Sequence, residues 1–327
     1  MSEIQSRPVV VITEVGDLDT RPGIELLESN GFEVIVFQEG LPLDAATRGL
    51  PGRAAEAVAA IVGFAPIGGP ELDLFPALEL VCTTSTGVDM VDLIAADERG
   101  VSVVGLGGVA TEEVALHALA LILAALREIP AGRRVVRSGG WTVDLDVTPR
   151  PIGELVLGLV GFGRIGRETA RMARPLFARI LASDPFTSES AEGVELVSLD
   201  RLLAESDVVS LHLPADPASR GLFSEERIAA MRSGALLVNA SRGELVDSTA
   251  VLAALDSGKL SGYAADVLDT EPPVADHPLR DHPKAIVTPH MGFLSTASLE
   301  RYELDPARAI VARLGGRIPA ATGRDSR

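Results

Sequence analysis

The chain has 327 residues, with 46 acidic against 29 basic side chains, a formal net charge of −17 and a single cysteine. Such a length accommodates about two domains of roughly 100–200 residues, each with a buried core. The charge argues against a general nucleic-acid or anionic-membrane surface, and Cys82 alone excludes an intrachain disulfide and suits a reducing compartment.

The first residues carry an acid, Glu3, and too short an apolar run for a secretory signal. Strand-like runs then follow at Val9 to Ile12, Glu33 to Phe37, Ala60 to Val62, Leu80 to Thr83 and Val101 to Val104, with a helix-like segment at Gly23 to Glu28. This alternation predicts an α/β domain with a parallel sheet. Cys82 lies in one of the apolar runs and reads as core. Thr111 is placed to cap the next helix, with Glu112 and Glu113 in its first turn. From Val114 to Leu126 that helix is apolar nearly all round and should be buried on several sides. It is shorter than the about 20 residues a membrane span needs, so a cytoplasmic protein is expected. His117 within it reads as a satisfied buried histidine rather than a catalyst.

The stretch Leu155 to Asp184 has the pattern of a dinucleotide-binding βαβ unit. An apolar strand meets Gly161, Gly163 and Gly166, a helix follows, and the next strand ends at Asp184, 23 residues after Gly161. In this arrangement Gly161 permits the tight turn, Gly163 admits the pyrophosphate to the backbone, and Gly166 lets helix and strand pack closely. The helix N-terminus offers N–H groups to phosphate, and Asp184 would accept the ribose hydroxyls.

Beyond Asp184 the alternation resumes through Val208 to His212, Ser224 to Met231, Ala235 to Asn239, Asp247 to Ser257, Tyr263 to Val267 and Ile286 to Val287. A final helix from about Ser295 to Leu314 precedes a polar tail, TGRDSR, expected to be disordered. Three loops after strands carry possible chemistry: NASRGELVD with Arg242, DVLDTEPP with Asp266 and Glu271, and TPHMGF with His290. Hydride transfer at a 2-keto acid requires such groups. An arginine forks onto the substrate carboxylate, a histidine protonates the carbonyl oxygen, and a carboxylate fixes the histidine tautomer. Taken singly, Arg242 also reads as a surface ion pair, Glu271 as a solvated loop acid and His290 as a turn residue.

At these motifs the chain resembles the D-isomer-specific 2-hydroxyacid dehydrogenases, over roughly Val81 to Gly292. The shared stretches run in order: TGVDMVDL, RGVSV, TEEVALHALALIL, GLVGFGRIG with SDP, HLPADPASRGLF, LLVNASRGELVD, DVLDTEPP and TPHMG. The resemblance implies a Rossmann-type doubly wound parallel sheet, residues 109–288, inserted into a smaller flavodoxin-like α/β substrate domain, residues 1–108 and 289–327. It implies NAD as cofactor, a small 2-hydroxy or 2-keto acid as substrate, and a homodimer with the His117 helix in its interface. Arg242 becomes the substrate anchor, His290 the acid/base and Glu271 its partner, with backbone groups near Ser85, Thr86 and Gly87 on the substrate carboxylate. Arg164 and Ile165 would lie against the pyrophosphate and Asp266 near the nicotinamide. Thr86, His212, Ala240, His290 and Gly292 complete the cofactor contacts it implies, while His277 and His282 read as loop residues.

Three positions depart from the family pattern: Ala110 stands where Asn is usual, Leu116 where an acid is usual, and Phe293 where a small residue often follows Gly292. The chain ends soon after the closing helix, so the C-terminal regulatory domain of longer phosphoglycerate dehydrogenases is expected to be missing. Two further readings share the fold: an NAD(H)-sensing binding protein of corepressor type, and a dehydrogenase of another small anion such as phosphite. Formate dehydrogenases have Gln in place of the catalytic Glu, so Glu271 speaks against that activity. The absence of an Arg directly after Asp184 points to NAD(H) over NADP(H).

Overall fold

The computed structural model describes residues 6–38, 40–41 and 50–315. The polar tail expected to be disordered lies outside the described residues. The chain divides into two compact units, Met1–Val109 with Ser295–Arg327, and Ala110–Leu294.

The first unit holds β1 (Val9–Ile12), β2 (Glu33–Val36), β3 (Ala57–Val62), β4 (Leu80–Thr83) and β5 (Ser102–Val104). All pair in parallel, in the order β2-β1-β3-β4-β5, which is the flavodoxin-like order. Every residue of β1, sequence VVVI, is buried, because a parallel sheet is covered on both faces and its inner strands need apolar side chains throughout. Val10 and Ile12 pack with Leu27, Ala307 and Ile310, from the helices Arg21–Ser29 and Thr296–Leu314. Val9 and Val11 face the other way, into Leu72, Ala95 and Ala96. Cys82 is fully buried in β4, as its apolar neighbours predicted.

The second unit holds β6 (Val156–Val160), β7 (Arg179–Ser183), β8 (Val194–Leu196), β9 (Val208–Leu211), β10 (Ala235–Asn239), β11 (Leu260–Ala265) and β12 (Ala285–Val287). They form one parallel sheet in the order β12-β11-β10-β9-β6-β7-β8, the Rossmann order with a further strand beside β11. One face packs Leu157, Leu159 and Ala182 against Leu119, Ile122, Ala170 and Ala173 of the helices Thr111–Leu126 and Arg164–Ala173. The other packs Leu211 and Leu237 against Leu202, Ile228, Val251 and Leu255. The fold is therefore α/β, with a Rossmann-type sheet carried between the two segments of a flavodoxin-like unit.

Two local expectations are corrected. Thr111 is the first helical residue rather than the cap; Ala110 flanks the helix and makes no side-chain cap bond. That helix is buried on several sides, as expected, through Ala115, Ala118, Leu119, Leu121 and Ile122, and leaves Leu116 exposed. The chain returns to the first unit after Leu294, not at residue 289. The reason is that the N–H groups of His290, Met291 and Gly292 all donate to Asp266, at the end of β11, which holds this turn on the second unit.

Candidate active site

Because every strand of the second unit runs the same way, the loops after β6, β7, β9, β10, β11 and β12 emerge at one edge of the sheet. They carry Gly161, Asp184, His212, Arg242, Asp266 and His290 in turn. The strand order reverses between β6 and β9, and that crevice is where open α/β sheets receive ligands.

The three glycines of the first loop have different physical reasons. Gly161 has φ +91°, and a Cβ there would lie 2.3 Å from the His212 carbonyl oxygen. A Cβ at Gly166 would lie 2.3 Å from the Gly161 oxygen. At Gly163 a Cβ would meet no protein atom within 4 Å, so nothing in the protein itself requires glycine there. Arg164 and Ile165 open the helix Arg164–Ala173 with Gly163 as its flank. Asp184 accepts hydrogen bonds from Phe162 N and Phe186 N, both at 2.8 Å, which tie the end of β7 to the glycine loop. A cation not singled out from sequence joins them: Arg167 stacks 4.6 Å over the Phe162 ring and donates to Thr187 Oγ1 and the Glu189 carbonyl.

His212 is buried at the end of β9. Its Nε2 lies 3.0 Å from Ser210 Oγ, and its Nδ1 is buried with no partner among the described residues. Burial pushes this imidazole down to about 4, so it is neutral near pH 7. An orphaned buried nitrogen beside a glycine loop open at Gly163 fits a dinucleotide.

After β10, Ala240 is buried and Asn239 fully so. The Asn239 amide donates to the Arg242 carbonyl at 2.8 Å and its oxygen accepts from Ser241 N at 3.0 Å. Arg242 is half-buried and Nη1 donates to the Ser241 carbonyl at 2.8 Å. A Cβ at Gly243 would lie 1.9 Å from the Leu268 oxygen, so the arginine loop lies directly on the loop that follows β11.

That second loop carries Glu271. Its Oε1 accepts from Leu268 N at 3.0 Å and its Oε2 lies 2.6 Å from His290 Nδ1. The carboxylate can only accept, so Nδ1 carries the hydrogen and Nε2 is left for a reacting group. His290 sits in left-handed backbone, φ +49°, held by its N–H on the Asp266 and Thr288 carbonyls. Its ring meets Phe293 edge-on at 6.3 Å. Asp266 is buried, and burial alone would raise its carboxyl. Hydrogen bonds from His117, Thr288, Met291 N and Gly292 N outweigh that and hold it below the usual carboxylate range.

Arg242, Glu271, His290 and Asp266 thus share one continuous set of loops, with Gly292 packed against Asp266. Ser85, Thr86 and Gly87 belong to the first unit, in the loop after β4. Thr86 Oγ1 donates to the Leu106 carbonyl there, and Ser85 Oγ to the Gly87 carbonyl. The other two histidines lie in loops, as expected, and each pairs with an acid. His277 Nε2 lies 3.0 Å from Asp269 and His282 Nε2 lies 3.3 Å from Asp256. Among the described residues there is no cluster that could hold a metal ion.

Residues 119–292 match the family model described as D-isomer specific 2-hydroxyacid dehydrogenase, NAD binding domain. Over 271 residues the chain is 36% identical to D-3-phosphoglycerate dehydrogenase of Archaeoglobus fulgidus, covering 82% of this chain and 50% of that one. It is also 36% identical over 260 residues to glyoxylate reductase of Korarchaeum cryptofilum, covering 78% of each. The chain therefore spans about half the length of the phosphoglycerate dehydrogenases it matches. Among solved structures, D-lactate dehydrogenase from Aquifex aeolicus, complexed with NAD and lactic acid, superposes with a TM-score of 0.82 at 27% identity, over 94% of this chain and 96% of that one. The glycine loop, the paired His290 and Glu271, and these likenesses agree: the chain belongs to the D-isomer-specific 2-hydroxyacid dehydrogenase family, and its second unit carries that family's NAD-binding domain.

Proposed function

We propose that the protein moves a hydride between NAD(H) and C2 of a small D-2-hydroxy or 2-keto acid. The observation that carries this reading is the 2.6 Å contact between His290 Nδ1 and Glu271 Oε2 at the dinucleotide edge of the sheet. Bound NADH supplies the hydride. Arg242 binds the substrate carboxylate as a bidentate fork. His290 gives its Nε2 proton to the carbonyl oxygen during reduction and takes it back during oxidation. Glu271 holds the Nδ1–H tautomer and faces the imidazolium with a negative charge.

The glycine loop from Gly161 to Gly166, with Arg164 and Ile165, receives the pyrophosphate, and Asp184 the adenosine ribose. His212, Ala240, Asp266 and Gly292 complete the nicotinamide side. The match to glyoxylate reductase over most of both chains makes glyoxylate the first substrate to assay. Leu116, Ile129, Val136, Trp141, Val143 and Val147 are large exposed apolar side chains within one stretch of the second unit, which supports pairing with a second copy. Among the described residues no single helix is long and apolar enough to cross a membrane, and the buried free Cys82 suits a cytoplasmic location.

The test is a panel of 2-keto acids (glyoxylate, hydroxypyruvate, its 3-phosphate, pyruvate and aromatic analogues) assayed with NADH and NADPH. Turnover of at least one with NADH is expected. NADH binding without turnover on any member would favour a nucleotide-sensing protein instead.

A further inference from the structure

His117 has no role in the reaction outlined above, yet it is bonded to the loop that carries His290. Its Nε2 lies 3.0 Å from Thr288 Oγ1 and 3.2 Å from Asp266 Oδ1. The hydrogen atoms in this cluster can be assigned. Asp266 is a carboxylate and only accepts, so the Thr288 hydroxyl, 2.5 Å from Oδ1, spends its one hydrogen there. The Thr288 oxygen then accepts, and His117 must donate from Nε2 to both neighbours.

The same carboxylate receives Met291 N at 3.0 Å and Gly292 N at 2.7 Å, while the Asp266 carbonyl receives His290 N at 2.7 Å. A Cβ at Gly292 would come within 3.2 Å of the His117 ring and 2.9 Å of Asp266 Oδ2. The turn from Thr288 to Gly292 is therefore wrapped around one buried acid, with His117 closing its far side. Left-handed backbone at a non-glycine residue, as at His290, persists only where its surroundings over-determine it.

We infer that His117 is a positioning residue: by donating to Thr288 and Asp266 it holds the left-handed turn that aims the His290 ring at Glu271. The inference rests on the reading of His290 as the acid/base. His117 touches the turn and no substrate group assigned above, so its loss leaves substrate binding in place and misdirects the proton donor. The signature is a fall in kcat at nearly constant KM.

The experiment uses the full chain with His117→Leu, which keeps bulk but removes the donor, and His117→Gln, which restores an N–H at the Nε2 position. Thr288→Val and the His117→Leu/Thr288→Val double variant complete a cycle. Glyoxylate reduction by His117→Leu should lose about tenfold in kcat, the loss typical of one hydrogen bond to a charged group, with KM within about twofold. His117→Gln should recover most of it. The double variant should be no slower than the slower single, because both act through one cluster.

Amide hydrogen exchange at Met291 and Gly292, measured without cofactor or substrate, should quicken in His117→Leu and return in His117→Gln. If His117→Leu fails to fold, a slowed Thr288→Val beside a near-normal His117→Gln carries the same conclusion. An unchanged kcat in His117→Leu, or His117→Gln as slow as His117→Leu with unaltered exchange, would overturn the inference. A wild type unable to reduce any keto acid defeats the dehydrogenase reading, and the exchange measurement then decides this one separately.

Discussion

Gly161→Ala and Gly163→Ala, two positions apart in one loop, should fail in opposite ways. At Gly161 an added methyl would lie 2.3 Å from the His212 carbonyl oxygen and 2.6 Å from its carbon, on a backbone with φ +91°. Left-handed backbone costs an alanine roughly 1–2 kcal/mol, and forcing a methyl into backbone adds about 1–3 kcal/mol. The sum, roughly 2–5 kcal/mol, lowers Tm by about 4–20 °C at the about 2–4 °C per kcal/mol of a domain this size. At Gly163 the methyl meets no protein atom within 4 Å, so stability should stay within about 0.5 kcal/mol of wild type. On the proposed reading the methyl would stand where the pyrophosphate approaches, and losing one charge-assisted contact costs about 1.5–3 kcal/mol, or roughly 10–100-fold in NADH affinity. Thermal unfolding and fluorescence titration with NADH separate the two effects. A Gly163→Ala protein that binds NADH as tightly as wild type would refute the assignment of this loop to the pyrophosphate. A Gly161→Ala protein of normal Tm would refute the packing argument.

Arg242→Lys should lose about 10–100-fold in kcat/KM for keto-acid reduction, since a point charge cannot reproduce the fork; NADH affinity measured by titration should barely move, and a loss there would contradict the role. Asp184→Ser should weaken NADH about tenfold, as expected for losing a charged acceptor, and narrow the preference over NADPH, because Arg167 already reaches the loop at Thr187 and Glu189. An unchanged NADH to NADPH ratio of efficiencies would contradict it. Asp266→Asn leaves four donors around a single amide oxygen and should destabilise by about 2–4 kcal/mol near pH 7. The Asp266 carboxyl is held below its ordinary value, so its contribution is fully present above the unfolded pKa of ~3.9 and is lost as pH falls through the lower folded value. The Tm gap between Asp266→Asn and wild type should therefore be constant down to about pH 4 and close below it. A gap that closes already near pH 6 would show that another group is responsible.

The fold was legible because parallel strands buried on both faces leave long apolar runs such as the VVVI of β1, and because Gly161, Gly163, Gly166 and Asp184 have a spacing with mechanical meaning. Shorter elements left no such mark. The three-residue strand β8, Val194–Leu196, is too brief for periodicity to register, and the helix Ile129–Arg137 buries none of its residues. At the site, Arg242, Glu271 and His290 could be named from their types and motifs, but their supports could not. His117 and Thr288 are 171 residues apart and meet only through the fold. Asn239 reads as the end of a strand until its amide is seen to hold the Arg242 carbonyl. Gly243 reads as a turn glycine until the Leu268 carbonyl is found against it. His277 is a loop residue, as its sequence context suggests, but its pairing with Asp269, two residues before Glu271, carries no local signal.

The central claim, hydride transfer with His290 as the proton donor, is tested most directly by following deuterium from 4,4-dideuterated NADH into product in wild type and His290→Ala. Wild type should convert glyoxylate to 2-deuterated glycolate and pyruvate, if accepted, to the D-isomer of 2-deuterated lactate, with one NADH consumed per product. His290→Ala should bind NADH normally and react about 10²–10⁴-fold more slowly, the usual loss of a general acid. Unlabelled product, the L-isomer, or a His290→Ala protein as fast as wild type would contradict the account.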